Sequence, residues 1–201
     1  MIETKFNKDY YEDGVRKHIS GYENYRWMPE RSIPEALDIK NNFKFNTCVD
    51  YGCAKGFLVS ALRLMGCEAY GEDISEYALT NCKEDVKNYL GYPNDKKYDL
   101  LICKDVLEHV IESDLPKLLD NLYQKADEFF FVIPLGDENR FRIREYEIDV
   151  THVTKKDEEW WIKLFNAHGF KLINFSYSFG AVKEKWIIQY PYGNGFFKFK
   201  K

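Results

Sequence analysis

Between Thr47 and Gly136, short apolar runs alternate with stretches whose apolar residues recur at helical spacing. The run TCVDYG at 47–52 ends in a glycine, which is typical of a buried strand followed by a tight turn. The stretch GFLVSALRLMG at 56–66 is a predicted helix, because its apolar residues share one face and Gly66 suits a C-terminal cap. Further strands are predicted at 67–74, 98–105 and 127–136, and further helices at 75–90, at 106–126 with a break near Ser113, and at 155–169.

Strands that alternate with helices in this way predict βαβ units and a parallel sheet covered on both faces. The chain of 201 residues is long enough for one domain with a substantial core. Two closing strands are predicted at 170–180 and 183–193, joined by a short turn. We therefore predict an α/β fold: a doubly wound, mostly parallel sheet with an antiparallel closing strand and helices on both faces.

The first 45 residues differ from the rest in being rich in aromatic side chains and interrupted by glycine and proline. They predict an N-terminal aromatic segment at 1–45 that either covers a pocket as a lid or packs as a strap over the sheet edge. The main domain is then expected at 46–201, with a polar insertion on the substrate side at 136–153. The aromatic residues of the leading segment are Tyr10, Tyr11, Tyr22, Tyr25 and Trp27.

Net charge, apolar stretches and cysteine spacing argue against several partners and locations for this protein. The formal net charge of −4 argues against a nucleic acid partner, because contact with phosphates needs a surplus of Lys and Arg. No apolar stretch is long enough for a membrane span, and residues 1–14 lack the apolar run of a signal peptide. The five cysteines form no C-x-x-C pair, which predicts reduced thiols, a cytoplasmic location and no metal site.

The turn after the first predicted strand carries the first candidate chemistry. In VDYGCAKG, at 49–56, small residues let the backbone approach a ligand beyond the carboxyl end of the strand. Three residues separate Gly52 from Gly56, which fits neither the dinucleotide fingerprint nor a Walker loop. The segment resembles the first motif of class I S-adenosylmethionine-dependent methyltransferases, an acidic residue followed by G-x-G-x-G, with Ala54 at the middle glycine. A structural turn without a ligand is the alternative.

This resemblance implies a Rossmann-like fold and S-adenosyl-L-methionine as cofactor. It assigns Asp50, Gly52, Cys53, Ala54 and Gly56 to the part of the site that holds the methionine moiety. Asp73, which follows the second strand, takes the place of the acidic residue that accepts both ribose hydroxyls, with Ile74 beside it. The alternative for Asp73 is that it only helps Ser75 to cap the next helix.

The string KDVLEHV at 104–110 resembles the family's segment after the fourth strand. Cys103 and Lys104 are expected to face the amino-acid end of the cofactor. His109 is predicted one helical turn after Asp105 on the same face, either near the transferred methyl group or as a structural histidine. The part that usually carries a third strand and an adenine-binding Asp is shortened, which leaves Asn94 or Asp95, or backbone, as candidates for the adenine contact.

The polar insertion holds a second catalytic candidate. Asp149 and His152 are three positions apart, and such a pair can act as a general base on a hydroxyl; the alternative is a solvated arm. His152 and His109 are the candidate bases, since histidine exchanges protons near neutral pH. An Asn/Asp-Pro-Pro-aromatic run, which nucleobase amino methyltransferases use, is absent after Lys104.

We therefore expect methyl transfer from S-adenosylmethionine to a small-molecule or glycan acceptor, at a hydroxyl oxygen. Two alternatives remain: a binding or regulatory module that keeps the pocket without catalysis, and a Rossmann-like oxidoreductase. The glycine spacing disfavours the oxidoreductase. Cofactor binding without turnover would distinguish the binding module.

Overall fold

The computed structural model describes residues 5–137 and 139–201. Within them, seven strands form one sheet in the order β3-β2-β1-β4-β5-β9-β8, and a short hairpin forms a second sheet. The strands are β1 (Thr47–Tyr51), β2 (Glu68–Glu72), β3 (Leu90–Gly91), β4 (Tyr98–Lys104), β5 (Ala126–Pro134), β6 (Gly136–Asp137), β7 (Arg140–Phe141), β8 (Lys171–Ser176) and β9 (Asn194–Lys200).

Eight α-helices accompany these strands in the described part of the chain, together with three 3₁₀ turns. The turns cover Glu84–Tyr89, Leu107–His109 and Arg144–Ile148. The helices are α1 (Lys8–Glu12), α2 (Gly14–Lys17), α3 (Pro29–Asn42), α4 (Phe57–Leu64), α5 (Glu76–Thr80), α6 (Leu115–Lys125), α7 (Glu158–Ala167) and α8 (Glu184–Gln189).

Strands β3, β2, β1, β4 and β5 run parallel, and β9 pairs antiparallel with both β5 and β8. The predicted α/β fold, with a mostly parallel sheet and antiparallel closure, is therefore confirmed. Strands β1, β4 and β5 are buried on both faces, which is why they read as continuous apolar runs rather than alternating ones. One apolar cluster, with α6 and α7, covers one face, and another, with α3 and α4, covers the opposite face.

The closing strands differ from the prediction in one place. Strand β8 falls inside the predicted 170–180, but residues 183–193 contain helix α8 instead of a strand. The final strand is β9, in which Phe196, Phe197 and Phe199 are all buried. Because β9 lies between two strands and beneath helices on both faces, nearly every side chain is enclosed and the alternation expected of an edge strand is lost.

The segment after β4 also differs from the prediction. A helix starting at Val106 is wrong: Asp105 has a positive φ of 58°, and only the 3₁₀ turn Leu107–His109 follows before α6. His109 therefore does not lie one α-helical turn above Asp105. The connection before β4, which is shortened in the sequence, holds a strand of only two residues, β3.

No helix in the described ranges is both long and apolar enough to cross a membrane.

Candidate functional site

A cavity of about 560 Å³ opens beyond the carboxyl ends of β1, β2 and β4. Ligands bind at this edge in open α/β sheets, and the volume is within the range of small-molecule sites. Eight of the residues predicted from the sequence contribute to its wall. They are Asp50, Gly52, Cys53, Ala54, Asp73, Ile74, Lys104 and His109.

The turn after β1 is held against the end of β2 by the backbone. The N–H groups of Gly52 and Cys53 both donate to the carbonyl oxygen of Glu72, at 2.7 and 3.1 Å. Gly52 has a φ of 81°, and a Cβ there would lie 2.3 Å from Cγ2 of Val106. Ala54, at the place of the middle glycine, also has a positive φ of 49°. This conformation costs an alanine about 1–2 kcal/mol, so other contacts must stabilise the turn.

Asp73 supplies that stabilisation. One oxygen of its buried carboxylate accepts the N–H of Ala54 at 2.7 Å, and the other accepts the N–H of Ser75 at 2.7 Å. Burial raises the pKa of Asp73, and these backbone donors oppose the rise. Ser75 itself caps α5 through its side chain, so Asp73 both orders the helix start and lines the cavity. Each oxygen keeps a lone pair for a further donor.

Asp50 lies at the end of β1 with only 6% of its surface exposed. Its pKa is raised to about 7, mainly by burial and also by the neighbouring carboxylates of Asp73 and Glu35, while Lys104 opposes the rise. The Nζ of Lys104 donates to Glu35 Oε2 at 2.9 Å, so helix α3 contributes an acidic group to the cavity wall. Sequence reasoning missed Glu35, because nothing in α3 marks which of its charged residues faces inward.

The leading aromatic segment contributes four tyrosines to the lining of this cavity. Tyr10, Tyr11, Tyr22 and Tyr25 line it and contact one another edge-to-face or tilted. Lys55, next to the turn after β1, donates to the side chain of Glu12 and, at 2.9 Å, to the carbonyl of Tyr25. These contacts attach the segment to the rim of the site.

A chain of hydrogen bonds leads from the cavity to the polar insertion. His109 Nδ1 contacts Thr151 Oγ1 at 2.7 Å, and Thr151 donates to Asp149 Oδ1 at 2.5 Å. The hydroxyl of Tyr10 donates to the other oxygen of Asp149 at 2.8 Å. Asp149 and His152 are thus brought next to His109, although neither lines the cavity.

His152 is positioned by a different partner. Its Nδ1 lies 2.7 Å from the carbonyl oxygen of Tyr146, while its Nε2 is 3.7 Å from Asp149. The rings of His109 and His152 are 4.6 Å apart between centroids. Burial lowers the pKa of His109 to about 4, with the nearby His152 adding to the effect, and burial also lowers the pKa of His152. Both rings are therefore neutral at pH 7.

Three predicted cofactor residues lie outside the cavity lining. Gly56 has a φ of 75° at the start of α4, where a Cβ would lie 2.6 Å from Leu90, so its role is in the packing of the turn. Cys103 is buried in β4, between β1 and β5. Asp95 is exposed in the loop before β4. Pro93 and Ile74, rather than Asp95, form the wall at that end.

Two buried charged groups near the site were not singled out from the sequence. Lys183, just before α8, forms an ion pair with Asp105 and donates to Asn194 Oδ1 at 2.8 Å. Glu108 is fully buried beside His109. The KDVLEHV string marked the segment, but burial of Glu108 depends on the insertion folding over it. The sequence predicted no metal site, yet ligand atoms of Glu108, His109 and His152 lie within 4.8 Å of one another.

Comparison with known proteins agrees with this geometry. Residues 20–175 match the family described as "Methyltransferase domain". The magnesium-protoporphyrin O-methyltransferase of Synechocystis is 31% identical over 90 residues, which are 39% of this chain and 39% of that protein. The match therefore spans well under half of that relative's length.

Solved structures share the fold. A SAM-dependent methyltransferase from Archaeoglobus fulgidus superposes with a TM-score of 0.65 at 18% identity, over 87% of this chain and 95% of that one. The Synechocystis magnesium protoporphyrin IX methyltransferase with bound SAH gives a TM-score of 0.61 at 16% identity, over 94% and 93% of the two chains. With the family match over most of its length, the chain belongs to the class I S-adenosylmethionine-dependent methyltransferase family.

Proposed function

We propose that this protein transfers the methyl group of S-adenosylmethionine to a hydroxyl oxygen of a small-molecule or glycan acceptor. The observation that carries the oxygen assignment is the pair of neutral imidazoles, His109 and His152, next to the cofactor cavity. Methylation of a hydroxyl requires removal of a proton, whereas a thiolate or a neutral amine can attack without one being removed beforehand.

The chain offers suitable partners for each part of the cofactor. The two remaining lone pairs of Asp73 suit the two ribose hydroxyls, and the exposed side of Ile74 suits the face of adenine. Asp50 suits the ammonium group, because a cation beside a buried carboxylate offsets the cost of its ionisation. The cofactor supplies a methyl group bonded to a positive sulfur, so the protein's main task is alignment.

The aromatic segment is proposed to exclude water from the cofactor cavity. Tyr10, Tyr11, Tyr22 and Tyr25 line the cavity, and the contacts of Lys55 with Glu12 and Tyr25 attach their segment to its rim. A site with little water strengthens the interaction of Asp50 with a cation. It also favours attack on the methyl group by the acceptor over attack by water.

The acceptor proton is expected to leave toward the histidine pair. His152 Nδ1 donates to the carbonyl of Tyr146, so its Nε2 carries the lone pair, and Thr151 fixes His109 in the same way. The relative named as an O-methyltransferase supports an oxygen acceptor, although the match covers only 39% of this chain.

The cofactor assignment is tested by isothermal titration with S-adenosylhomocysteine. We expect micromolar binding by the wild type, about −8 kcal/mol, and a loss of most of that affinity in Asp73→Ala. Asp95→Asn is the matched control, because this carboxylate lies outside the cavity wall and its loss should leave the affinity unchanged. No heat and no thermal stabilisation at millimolar ligand would refute the cofactor assignment.

The acceptor assignment is tested by measuring methyl transfer to candidate acceptors. Transfer of labelled methyl from S-adenosylmethionine is screened over hydroxylated small molecules and glycans, with amines and thiols as comparison classes. Preference for hydroxyl acceptors supports the proposal, and preference for amines or thiols contradicts it. Binding of S-adenosylhomocysteine without turnover on any acceptor favours the alternative of a binding module without catalysis.

A further inference from the structure

Three potential metal ligands meet where the turn after β4 contacts the polar insertion. Glu108 and His109 come from the 3₁₀ turn, and His152 comes from the loop before α7. One ligand atom of each lies within 4.8 Å of the other two. The peptide carbonyl of Glu108 accepts the N–H groups of Val153 and Thr154, at 2.8 and 3.0 Å, which fixes the two segments against each other.

Glu108 makes this cluster different from an ordinary group of buried polar residues. Its side chain is fully buried, and neither carboxylate oxygen has a hydrogen-bond partner within residues 5–137 and 139–201. Buried acidic groups are normally paired with a cation or saturated with donors, because an unpartnered buried charge is strongly unfavourable. One carboxylate oxygen of Glu108 lies within 4.8 Å of a ring nitrogen of each imidazole.

Each imidazole is oriented as metal-binding histidines are. His152 uses Nδ1 to donate to the Tyr146 carbonyl at 2.7 Å. His109 uses Nδ1 toward Thr151 Oγ1 at 2.7 Å, and Thr151 gives its own proton to Asp149. A ring that donates from Nδ1 keeps its lone pair on Nε2, where a metal ion can bind. In metal-bound histidines the nitrogen that does not bind the metal usually donates to a carbonyl oxygen or to a carboxylate, and here Thr151 connects His109 to the carboxylate of Asp149.

We propose that Glu108, His109 and His152 form a binding site for a divalent first-row transition metal ion. Two imidazoles and one carboxylate suit zinc, cobalt, iron or manganese, whereas calcium and magnesium prefer oxygen ligands alone. Three protein ligands leave at least one coordination position open, as in metal sites that bind a substrate or water.

The site adjoins the cofactor cavity, because His109 belongs both to the cluster and to the cavity wall. A cation here would bind the acceptor oxygen at its open position and lower the pKa of that hydroxyl, so that its proton would pass to a water molecule and not to an imidazole. This last step rests on the proposed transfer to a hydroxyl. The binding of the cation itself does not.

The site is tested with cobalt(II), whose visible absorption reports coordination by protein ligands. The full chain is stripped with a chelator and titrated with Co²⁺ alone, and Zn²⁺ is then added as competitor. We expect ligand-field absorption that saturates at one equivalent and is abolished by zinc. Glu108→Gln and His152→Gln should each weaken Co²⁺ binding by more than about 100-fold, since loss of an outer support alone costs 10–100-fold.

His168→Gln is the matched control. This histidine contacts Asp120 at 2.7 Å, away from the cluster, and its loss should leave Co²⁺ binding unchanged. Thermal unfolding of the metal-free proteins checks that each variant is folded, and Co²⁺ should raise the melting temperature of wild type and His168→Gln only. His152→Gln removes a different ligand and leaves the Glu108 side chain in place, so it keeps the test decisive should Glu108→Gln fold poorly.

Two results would overturn the site. One is the absence of saturable absorption in the wild type; the other is equal absorption in wild type and His152→Gln, which would mean adventitious binding. Titration of the metal-free protein with S-adenosylhomocysteine separates this proposal from the preceding one. Cofactor binding without cobalt binding rejects the metal site alone, and cobalt binding without cofactor binding rejects the cofactor assignment alone.

Discussion

The buried carboxyl group of Asp50 predicts a cofactor affinity that depends on pH. Burial raises the pKa of Asp50 to about 7 in the ligand-free protein, with Asp73 and Glu35 adding to the rise and Lys104 opposing it. Below pH 7 this carboxyl group is therefore mostly protonated. The cofactor's ammonium group favours the ionised form, so binding below pH 7 must release a proton.

The size of the effect follows from the ionised fraction. A ligand that requires the ionised form loses affinity in proportion to that fraction. With a pKa near 7, the fraction falls roughly tenfold between pH 8 and pH 6, which corresponds to about 1.4 kcal/mol. Below pH 6 the affinity should fall by a further factor of about ten for each pH unit.

The assay is calorimetric titration with S-adenosylhomocysteine between pH 6 and 8, in two buffers of different ionisation enthalpy to count the protons released. Asp50→Asn should bind more weakly at pH 8 and show a much flatter profile. Asp95→Asn should keep the wild-type slope, because this residue lies at the surface. A flat wild-type profile, or an unchanged slope in Asp50→Asn, would refute the reasoning.

Further predictions concern the fold around the site. Without cofactor, Asp50→Asn should stabilise the protein at pH 8 by up to about 4 kcal/mol, since burial raises the pKa from 3.8 to about 7 and one pKa unit is about 1.4 kcal/mol. The gain should fall to less than half at pH 5, where folded Asp50 is protonated but the unfolded chain is still ionised, and denaturant unfolding at both pH values measures it. Ala54→Gly should stabilise by about 1 kcal/mol with unchanged S-adenosylhomocysteine affinity, because φ is positive there. Gly52→Ala should destabilise by about 2 kcal/mol through its clash with Val106, also measured by denaturant. Lys125→Met should cost about 3–5 kcal/mol by leaving buried Glu72 unpaired, and a smaller loss when Glu72→Gln is added would confirm the pairing.

The sequence was most informative where local chemistry decides the structure. The strand–turn–helix at 47–66 and the carboxylate after β2 could be placed because glycines, apolar runs and a capping serine are short-range signals. The turn itself needed Asp73 to hold Ala54, which the structure shows as a hydrogen bond of 2.7 Å. Ala54 stands where the family motif has a glycine, and the cost of its positive φ is offset by the hydrogen bond to Asp73, the residue that the resemblance assigned to ribose binding.

The features that could not be predicted depend on distant segments. Whether Glu35 or another charged residue of α3 faces the cavity depends on how that helix packs against α4. Glu108 is buried only because the insertion returns to bond its carbonyl from Val153 and Thr154. The apolar stretch at 186–188 is too short to distinguish a strand from a helix by periodicity; in the structure it lies in α8, which has no buried residue, and the closing strand is the buried β9.

The position of β9 has a consequence for the order in which the molecule is assembled during synthesis. Strands β5 and β8 are not neighbours; each pairs with β9, which the ribosome makes after both. The parallel half of the sheet can form as its strands emerge, whereas this flank must wait until residue 200 has left the exit tunnel. Until then the phenylalanine side chains of β5 lack part of their cover, so nascent chains stalled before Asn194 should depend on chaperones that shield apolar surface.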